Sequence, residues 1–301
     1  MSESPQTVPV CYRHPGRETY VRCTRCDRPI CPDCMRDAAV GHQCPECVAE
    51  GLRTQRPART AFGGGAAGRA GYVTKTLIGL NVLMMLLSIA SAGGGGIAGG
   101  GLGGLMGGQT PLTLWGSVLP YAIYDGALHG VADGEYYRLV TAMFLHYGVL
   151  HLLLNMWALW VLGRSLETAL GPLRFAALYL VAGLGGNVAA YWLSAENTTS
   201  AGASTAIFGL FAALFVIMRR LGRDTSAVIP ILVINLIFTF TVPSISIAGH
   251  LGGMVTGGAL ALVLAYAPRT RRTLVQSVGI GAIVVLLLAL VVARTVALLV
   301  G

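Results

Sequence analysis

Charge is the scarcest ingredient of this chain. Only 11% of its 301 residues are Asp, Glu, Lys or Arg, against roughly 25% in ordinary soluble domains. Such a shortage, with 54% of residues hydrophobic, argues against a soluble globular protein. Cysteine is missing after Cys47: all seven lie between Cys11 and Cys47. The odd count and the close pairing argue against a secreted disulfide scaffold and for metal ligation in a reducing compartment. The first 70 residues hold no apolar h-region, so no cleavable signal peptide is read there, and the first hydrophobic span is expected to act as the targeting signal. A basic stripe is lacking too. The net charge of +8 is distributed around apolar segments. In the N-terminal region Arg13, Arg17, Arg22, Arg25, Arg28 and Arg36 are offset by Glu18, Asp27, Asp33 and Asp37. No nucleic-acid partner is expected.

What the chain does have is long apolar runs. A helix rises about 1.5 Å per residue, so about 20 apolar residues cross a bilayer core. Seven segments meet or approach that length: 72–91, 148–165, 173–194, 203–219, 226–242, 246–266 and 274–296. The fold class this implies is an all-α polytopic membrane protein with the lipid bilayer as its surroundings. Between Gly93 and Gly108 stand eleven glycines, and glycine disfavours a helix by about 1 kcal/mol per residue. That stretch is read as a flexible linker, as is the Gly/Arg-rich stretch 51–71. Residues 111–145 carry Trp115, Tyr121, Tyr124, Tyr136 and Tyr137, which points to packing at the membrane interface. The expected organisation is a module at 1–50, the linker at 51–71 and a helical core at 72–266 whose first long external loop is 91–145. A cytoplasmic turn and a seventh helix follow at 267–301.

Arginine sets the orientation. With the N-terminus inside, Arg164 and Arg174, then Arg219, Arg220 and Arg223, then Arg269, Arg271 and Arg272 fall on the cytoplasmic side. Only Arg138 and Arg294 fall opposite, the asymmetry of the positive-inside rule. The cysteine module is then cytoplasmic, where thiols stay reduced, and the C-terminus is external. A bacterial plasma membrane is the expected location.

The cysteines form a pattern with one histidine: Cys11-x2-His14, Cys23-x2-Cys26, Cys31-x2-Cys34 and Cys44-x2-Cys47. Four such pairs supply the ligands of two tetrahedral zinc ions. The spacing resembles a B-box-type zinc finger, in which ligand pairs interleave. The resemblance implies Cys11, His14, Cys31 and Cys34 around one ion, and Cys23, Cys26, Cys44 and Cys47 around the other. His42 is a ninth candidate, set aside because Cys44-x2-Cys47 makes the better chelate turn. With every coordination position filled by protein, the metal is structural, and in a module with so little apolar core it supplies folding energy. Modules of this kind bind proteins, so a cytoplasmic protein partner is expected.

Polar residues at membrane depth are costly and usually mark function. Under the arginine topology His151, Asn155, Ser204 and His250 lie at similar outer depth on the second, fourth and sixth spans. The set suits acyl transfer. Ser204 is the candidate nucleophile and His250 the base, a dyad with no obvious third carboxylate. His151 and Asn155, four residues apart, share a helical face and are placed to donate to an oxyanion. Gly249, Gly253 and Gly257 on the sixth span, with Gly202, Ala203 and Gly209 on the fourth, allow the close approach the pair needs. No cofactor is expected for catalysis.

Three stretches together resemble the rhomboid family of intramembrane serine proteases: His146-YGVL-His151-LLL-Asn155, Gly202-Ala203-Ser204-Thr205, and Ala248-Gly249-His250-LGGMVTG. The resemblance covers about residues 72–266. It implies a six-helix bundle plus one C-terminal transmembrane helix, with Ser204 and His250 catalytic, His151 and Asn155 as oxyanion side chains, and transmembrane proteins as substrates. Gly163-RSL-Glu167-TAL-Gly171 resembles the family's structural Gly-x3-Glu-x3-Gly element, and Tyr137-Arg138 stands where the family has Trp-Arg. Three positions depart from the pattern: Tyr137 for tryptophan, Thr205 where glycine is common, and Phe208 where tyrosine often stacks on the histidine. None removes a reacting group. His146 is read as structural, fixing the long loop. The alternative reading is a catalytically silent membrane adaptor that binds transmembrane clients, its zinc module recruiting a cytoplasmic partner.

Overall fold

The computed structural model describes residues 8–55, 59–65, 71–93, 108–124, 126–226, 228–241 and 245–300. The chain divides into two units, Met1–Pro57 and Ala58–Gly301.

The first unit has almost no aliphatic interior. Among its described residues the buried apolar ones are Cys11, Cys23, Ile30, Cys31, Cys34, Cys44 and Cys47, with Tyr12 and Met35 packed partly against them. Strands β1 (Arg36–Asp37) and β2 (His42–Gln43) pair antiparallel, turned by Gly41 at φ +65. Helix α1 (Pro45–Thr54) starts where a cap and a proline meet: the Cys44 thiol accepts from the Cys47 N–H, and Pro45 occupies the first turn, where its missing N–H costs nothing. The helix runs past residue 50, so the module extends beyond the boundary expected from its last cysteine. Small β pairs here and in the second unit add to the all-α class expected.

In the second unit the helices follow the apolar segments. They are α2 (Tyr72–Ser91), α5 (Val149–Leu170), α6 (Pro172–Leu193), α7 (Ser204–Arg220), α8 (Val228–Thr241), α9 (Ile247–Tyr266) and α10 (Arg272–Val300), with two short helices, α3 (Pro111–Gly116) and α4 (Arg138–Thr141), in the loop between α2 and α5. Five helices among the described residues are long and apolar enough to cross a membrane; α8 is shorter, and α7 has 17 residues. The chain is a multi-pass integral membrane protein of largely helical fold.

Helix α5 continues to Leu170, five residues past the expected end of its span, because Glu167 is needed there. Glu167 is fully buried. Its carboxylate oxygens accept from Val73 N (3.0 Å), Thr74 N (2.9 Å) and Thr74 Oγ1 (2.8 Å). The two N–H groups are orphan donors of the first turn of α2, where the helix dipole also favours a negative group. Gly171, at φ +84, then ends the helix. The expected flexible stretch 51–71 differs in its described part: residues 59–65 form a turn closed by an Arg59–Gly65 bridge. Its Phe62 is buried in the helical core. Gly64 rests directly on the Leu170 carbonyl, where a Cβ would not fit, so these glycines serve close approach and not looseness. The polyglycine linker lies outside the described residues from 94 to 107.

Helix α7 is the centre of the unit, most of its length buried among α5, α6 and α9. Small residues make this possible. A Cβ on Gly253 would strike the Thr205 carbonyl, and one on Gly257 would strike the Gly209 backbone. On α6, a Cβ on Gly186 would come within 2.5 Å of the Gly249 carbonyl. Helix α10 lies against α6 and α9 through polar contacts. Tyr191 OH meets Thr295 Oγ1 at 2.9 Å, Trp192 Nε1 donates to the Leu290 carbonyl at 2.9 Å, and Gln276 Nε2 donates to the Leu264 carbonyl at 2.8 Å.

Candidate functional site

The site begins with the loop that delivers Ser204. Arg138, 2% exposed, is held at Nε by Glu135 Oε2 (2.6 Å) and donates from one terminal nitrogen to the carbonyls of Leu114 (2.7 Å) and Ser117 (3.1 Å). Glu135 also accepts from the Gly130 N–H at 2.7 Å. Burial would raise the Glu135 carboxyl, but the Arg138 guanidinium and the Gly130 N–H hold it below its ordinary value. Trp115 stacks on Tyr137 with ring centroids 4.7 Å apart, so tyrosine fills the loop position expected of tryptophan. Strands β3 (Ala122–Tyr124) and β4 (Ala127–His129) form a hairpin beyond it. The loop is then sewn to the segment before α7. Val118 and Ser200 exchange backbone hydrogen bonds at 2.9 Å, and the Gly202 N–H donates to the Ala142 carbonyl at 2.9 Å.

That stitching puts Ser204 at the first position of α7. Its N–H and those of Thr205 and Ala206 precede the first intrahelical bond, Ile207 N–H to Ala203 O at 3.0 Å, so they have no acceptor within the helix. Ser204 Oγ lies 2.8 Å from Nε2 of His250, one turn into α9. Helix α9 starts at Ser246, whose hydroxyl caps it by accepting from the Gly249 N–H at 3.1 Å. His250 is 6% exposed. Phe208 stacks on its ring with centroids 4.1 Å apart and planes 17° from parallel. The opposite ring nitrogen, Nδ1, lies 2.7 Å from Thr239 Oγ1 on α8.

The other candidates fall around this pair at different distances. A Cβ placed on Gly202 would lie 3.0 Å from His151 Nε2 and 3.3 Å from Ser204 Oγ, so the His151 ring borders the serine. Gly202 has φ +144, a conformation other residues avoid. Asn155 is buried and donates through Nδ2 to the His151 carbonyl at 2.8 Å. One amide N–H is thereby used within the helix and a second remains. His146 is buried; the Ala203 N–H points at its Nε2 at 3.4 Å. Its ring meets that of His151 edge-on at 5.0 Å. It braces the turn before Ser204. Thr239 is the residue missed in the sequence. The available signal was Asn235 and Thr239, four apart in an apolar segment and so on one helical face.

In the first unit the ligand pairs interleave. Cys11, His14, Cys31 and Cys34 gather in one cluster, and Cys23, Cys26, Cys44 and Cys47 in another, their ligand atoms all within 4.8 Å of one another. Three sulfurs and an imidazole, or four sulfurs, form a donor set suited to a tetrahedral metal ion. His42 stands apart, its Nδ1 3.3 Å from an Asp37 carboxylate oxygen. Burial raises the Cys11 and Cys23 thiols, but backbone N–H donors outweigh it and bring both below the ordinary value. Burial pushes Cys34 and Cys47 up. A bound cation would favour the ionised form of every cysteine in its cluster.

The second unit is thus a helical unit with membrane-length helices, in which a buried imidazole meets a helix-initial serine. Residues 133–267 match the family model of the Rhomboid domain, and the chain belongs to the rhomboid family. It is 36% identical over 148 residues to "Putative rhomboid protease YdcA" of Bacillus subtilis (strain 168), covering 48% of this chain and 74% of that protein. It is 40% identical over 135 residues to "Rhomboid protease GluP" of the same organism, covering 42% of this chain and 26% of the relative. "RHOMBOID-like protein 5" of Arabidopsis thaliana is 34% identical over 166 residues, covering 52% of this chain and 53% of its own. The chain thus spans only about a quarter of GluP and about half of the plant protein. The residues matched by the family model do not include the cysteine clusters.

Proposed function

We propose that this protein is an intramembrane serine endopeptidase that cleaves transmembrane proteins near the outer face of the membrane. The observation that carries this reading is the 2.8 Å contact between Ser204 Oγ and His250 Nε2. In the reaction His250 Nε2 takes the serine proton as Oγ attacks the scissile carbonyl carbon, and the imidazolium then gives that proton to the leaving amine. The developing oxyanion is met by the unpaired N–H groups at the start of α7, with His151 and Asn155 as side-chain donors. Phe208 keeps the imidazole face dry and fixed in plane. Gly202 leaves room for the substrate carbonyl beside His151.

In this reading α2 and α5 to α9 form the six-helix catalytic core, and α10 is an added seventh helix. The arginine asymmetry supports a cytoplasmic N-terminus and an external C-terminus in a bacterial plasma membrane. The two clusters of the first unit hold structural zinc ions, with Cys11, His14, Cys31 and Cys34 on one and Cys23, Cys26, Cys44 and Cys47 on the other. The bound metal would tie four chain segments together where apolar burial is too small to do so. A folded module of this kind presents a surface for a cytoplasmic protein partner.

The test uses the full-length protein in liposomes with a reporter transmembrane substrate. Wild type is expected to cleave it and to be labelled by a fluorophosphonate; Ser204→Ala should do neither while staying folded. Binding of the reporter without cleavage or labelling by wild type would replace this reading with the silent client-binding adaptor.

A further inference from the structure

Proteolysis by Ser204 employs one nitrogen of His250 and leaves the other unassigned. That nitrogen, Nδ1, is 2.7 Å from Thr239 Oγ1. Thr239 is 1% exposed, whereas its neighbours Ile237, Phe238 and Phe240 are 55%, 58% and 60% exposed. Near its end helix α8 therefore turns a hydroxyl inward while Ile237, Phe238 and Phe240 face outward. Only Val228 and Thr239 of its described residues are buried.

The hydroxyl has a second partner. Thr239 Oγ1 donates to the Asn235 carbonyl one turn back, at 2.9 Å. A hydroxyl has one hydrogen and two lone pairs, and a carbonyl can only accept. A hydroxyl that gives its hydrogen to the Asn235 carbonyl meets Nδ1 as an acceptor, and in that arrangement Nδ1 carries the ring hydrogen. A neutral imidazole has one such hydrogen. Nε2 is then bare and faces Ser204 Oγ as an acceptor, the state a general base requires. The reverse arrangement, Nε2–H toward Ser204, would leave no site for the serine proton.

We infer that Thr239 is a positioning residue that holds His250 in its Nδ1–H tautomer through the chain Asn235 C=O, Thr239 O–H, His250 Nδ1–H. The role is the one an aspartate fills in serine triads, carried here by a neutral hydroxyl backed by a helix carbonyl. In the reaction the Ser204 O–H bond breaks as the Nε2–H bond and the Oγ–carbon bond form. The imidazolium keeps its Nδ1–H on Thr239, in a hydrogen bond that strengthens with the charge. Because no carboxylate is involved, the ring is oriented without a second buried charge beside it.

The kinetic part of this inference rests on the protease reading; the tautomer does not. Full-length protein with 15N-labelled histidine imidazoles is compared as wild type, Thr239→Ser and Thr239→Val, with His250→Ala identifying the His250 signals. Wild type and Thr239→Ser should show a protonated Nδ1 and a bare Nε2, and Thr239→Val a mixture of tautomers. Cleavage should follow: about a tenfold fall in kcat for Thr239→Val with little change in KM, and near wild-type kcat for Thr239→Ser. A wild-type spectrum with Nε2 protonated overturns the inference, and so does Thr239→Val with an unchanged tautomer and kcat. A wild type that shows the Nδ1–H tautomer but cleaves nothing would refute proteolysis and uphold the tautomer assignment.

Discussion

Glu167 takes a carboxylate into the interior and surrounds it with three donors from α2, so the start of one helix is capped from the end of another. Replacing it by glutamine keeps the shape but turns an amide N–H toward donors that need an acceptor. Glu167→Gln is expected to lower stability by about 2–3 kcal/mol, read as a lower unfolding midpoint in detergent. His151 borders Ser204, and under the proposed reaction His151→Ala is expected to reduce kcat about 10²-fold while leaving the fold intact, measured with the reporter substrate. These residues were legible in the sequence for different reasons. Glu167 was framed by Gly163 and Gly171, and His151 and Asn155 shared a helical face at a depth where polar groups are rare. Thr239 was not legible as a partner of His250. A threonine in an apolar segment has many bland uses, and its link to His250 depends on how two helices cross. Asn155, though on the expected face, donates to its own helix at 2.8 Å, a local preference of buried amides that spacing does not display.

At the level of elements, the α7–α9 contact sets the distance between serine and imidazole, and it is made of glycine. A Cβ on Gly257 has no room against the Gly209 backbone, so Gly257→Val should force the two helices apart. Cleavage should be lost along with thermal stability, and fluorophosphonate labelling of Ser204 should fall in step. The four-residue glycine repeat announced this contact, whereas the share of α6 in it, through Gly183, Gly185 and Gly186, emerged only from the packing. The loop between α2 and α5 is held by the Arg138–Glu135 pair, with a predictable pH dependence. The Glu135 carboxyl is held below its ordinary value of 4.5. The stability it contributes is therefore fully present above that value and is lost as pH falls through the lower folded-state value. Limited proteolysis of residues 111–145 should accelerate in that acid range in wild type, and Glu135→Gln should be cut at a rate that changes little with pH. Helix positions were legible from apolar runs because lipid leaves few alternatives to a helix. The order in residues 59–65 was not, since glycine that permits close packing and glycine that permits motion have the same composition.

For the molecule as a whole, the two units hold themselves together by different means. Among its described residues the first has one buried aliphatic side chain, Ile30, beside its cysteines; the second buries an extended apolar core. A strong chelator should therefore unfold the first unit alone. All four tryptophans lie in the second, at 115, 157, 160 and 192, so their fluorescence should stay constant while the seven thiols become reactive to a thiol reagent. Two metal ions per chain should be released, and a simultaneous change in tryptophan emission would contradict the separation. The four Cys/His pairs were legible in the sequence because chelate turns are local, whereas their interleaving, which joins Cys11 and His14 to Cys31 and Cys34, was expected only from the resemblance to a B-box-type zinc finger. The central claim is that Ser204 and His250 perform peptide-bond hydrolysis within the membrane. It is tested most directly by mass analysis of a reporter transmembrane protein incubated in liposomes with wild type, Ser204→Ala or His250→Ala. A single cut near the outer membrane face is expected with wild type, and an intact reporter with either variant. Equal cleavage by wild type and Ser204→Ala would contradict it.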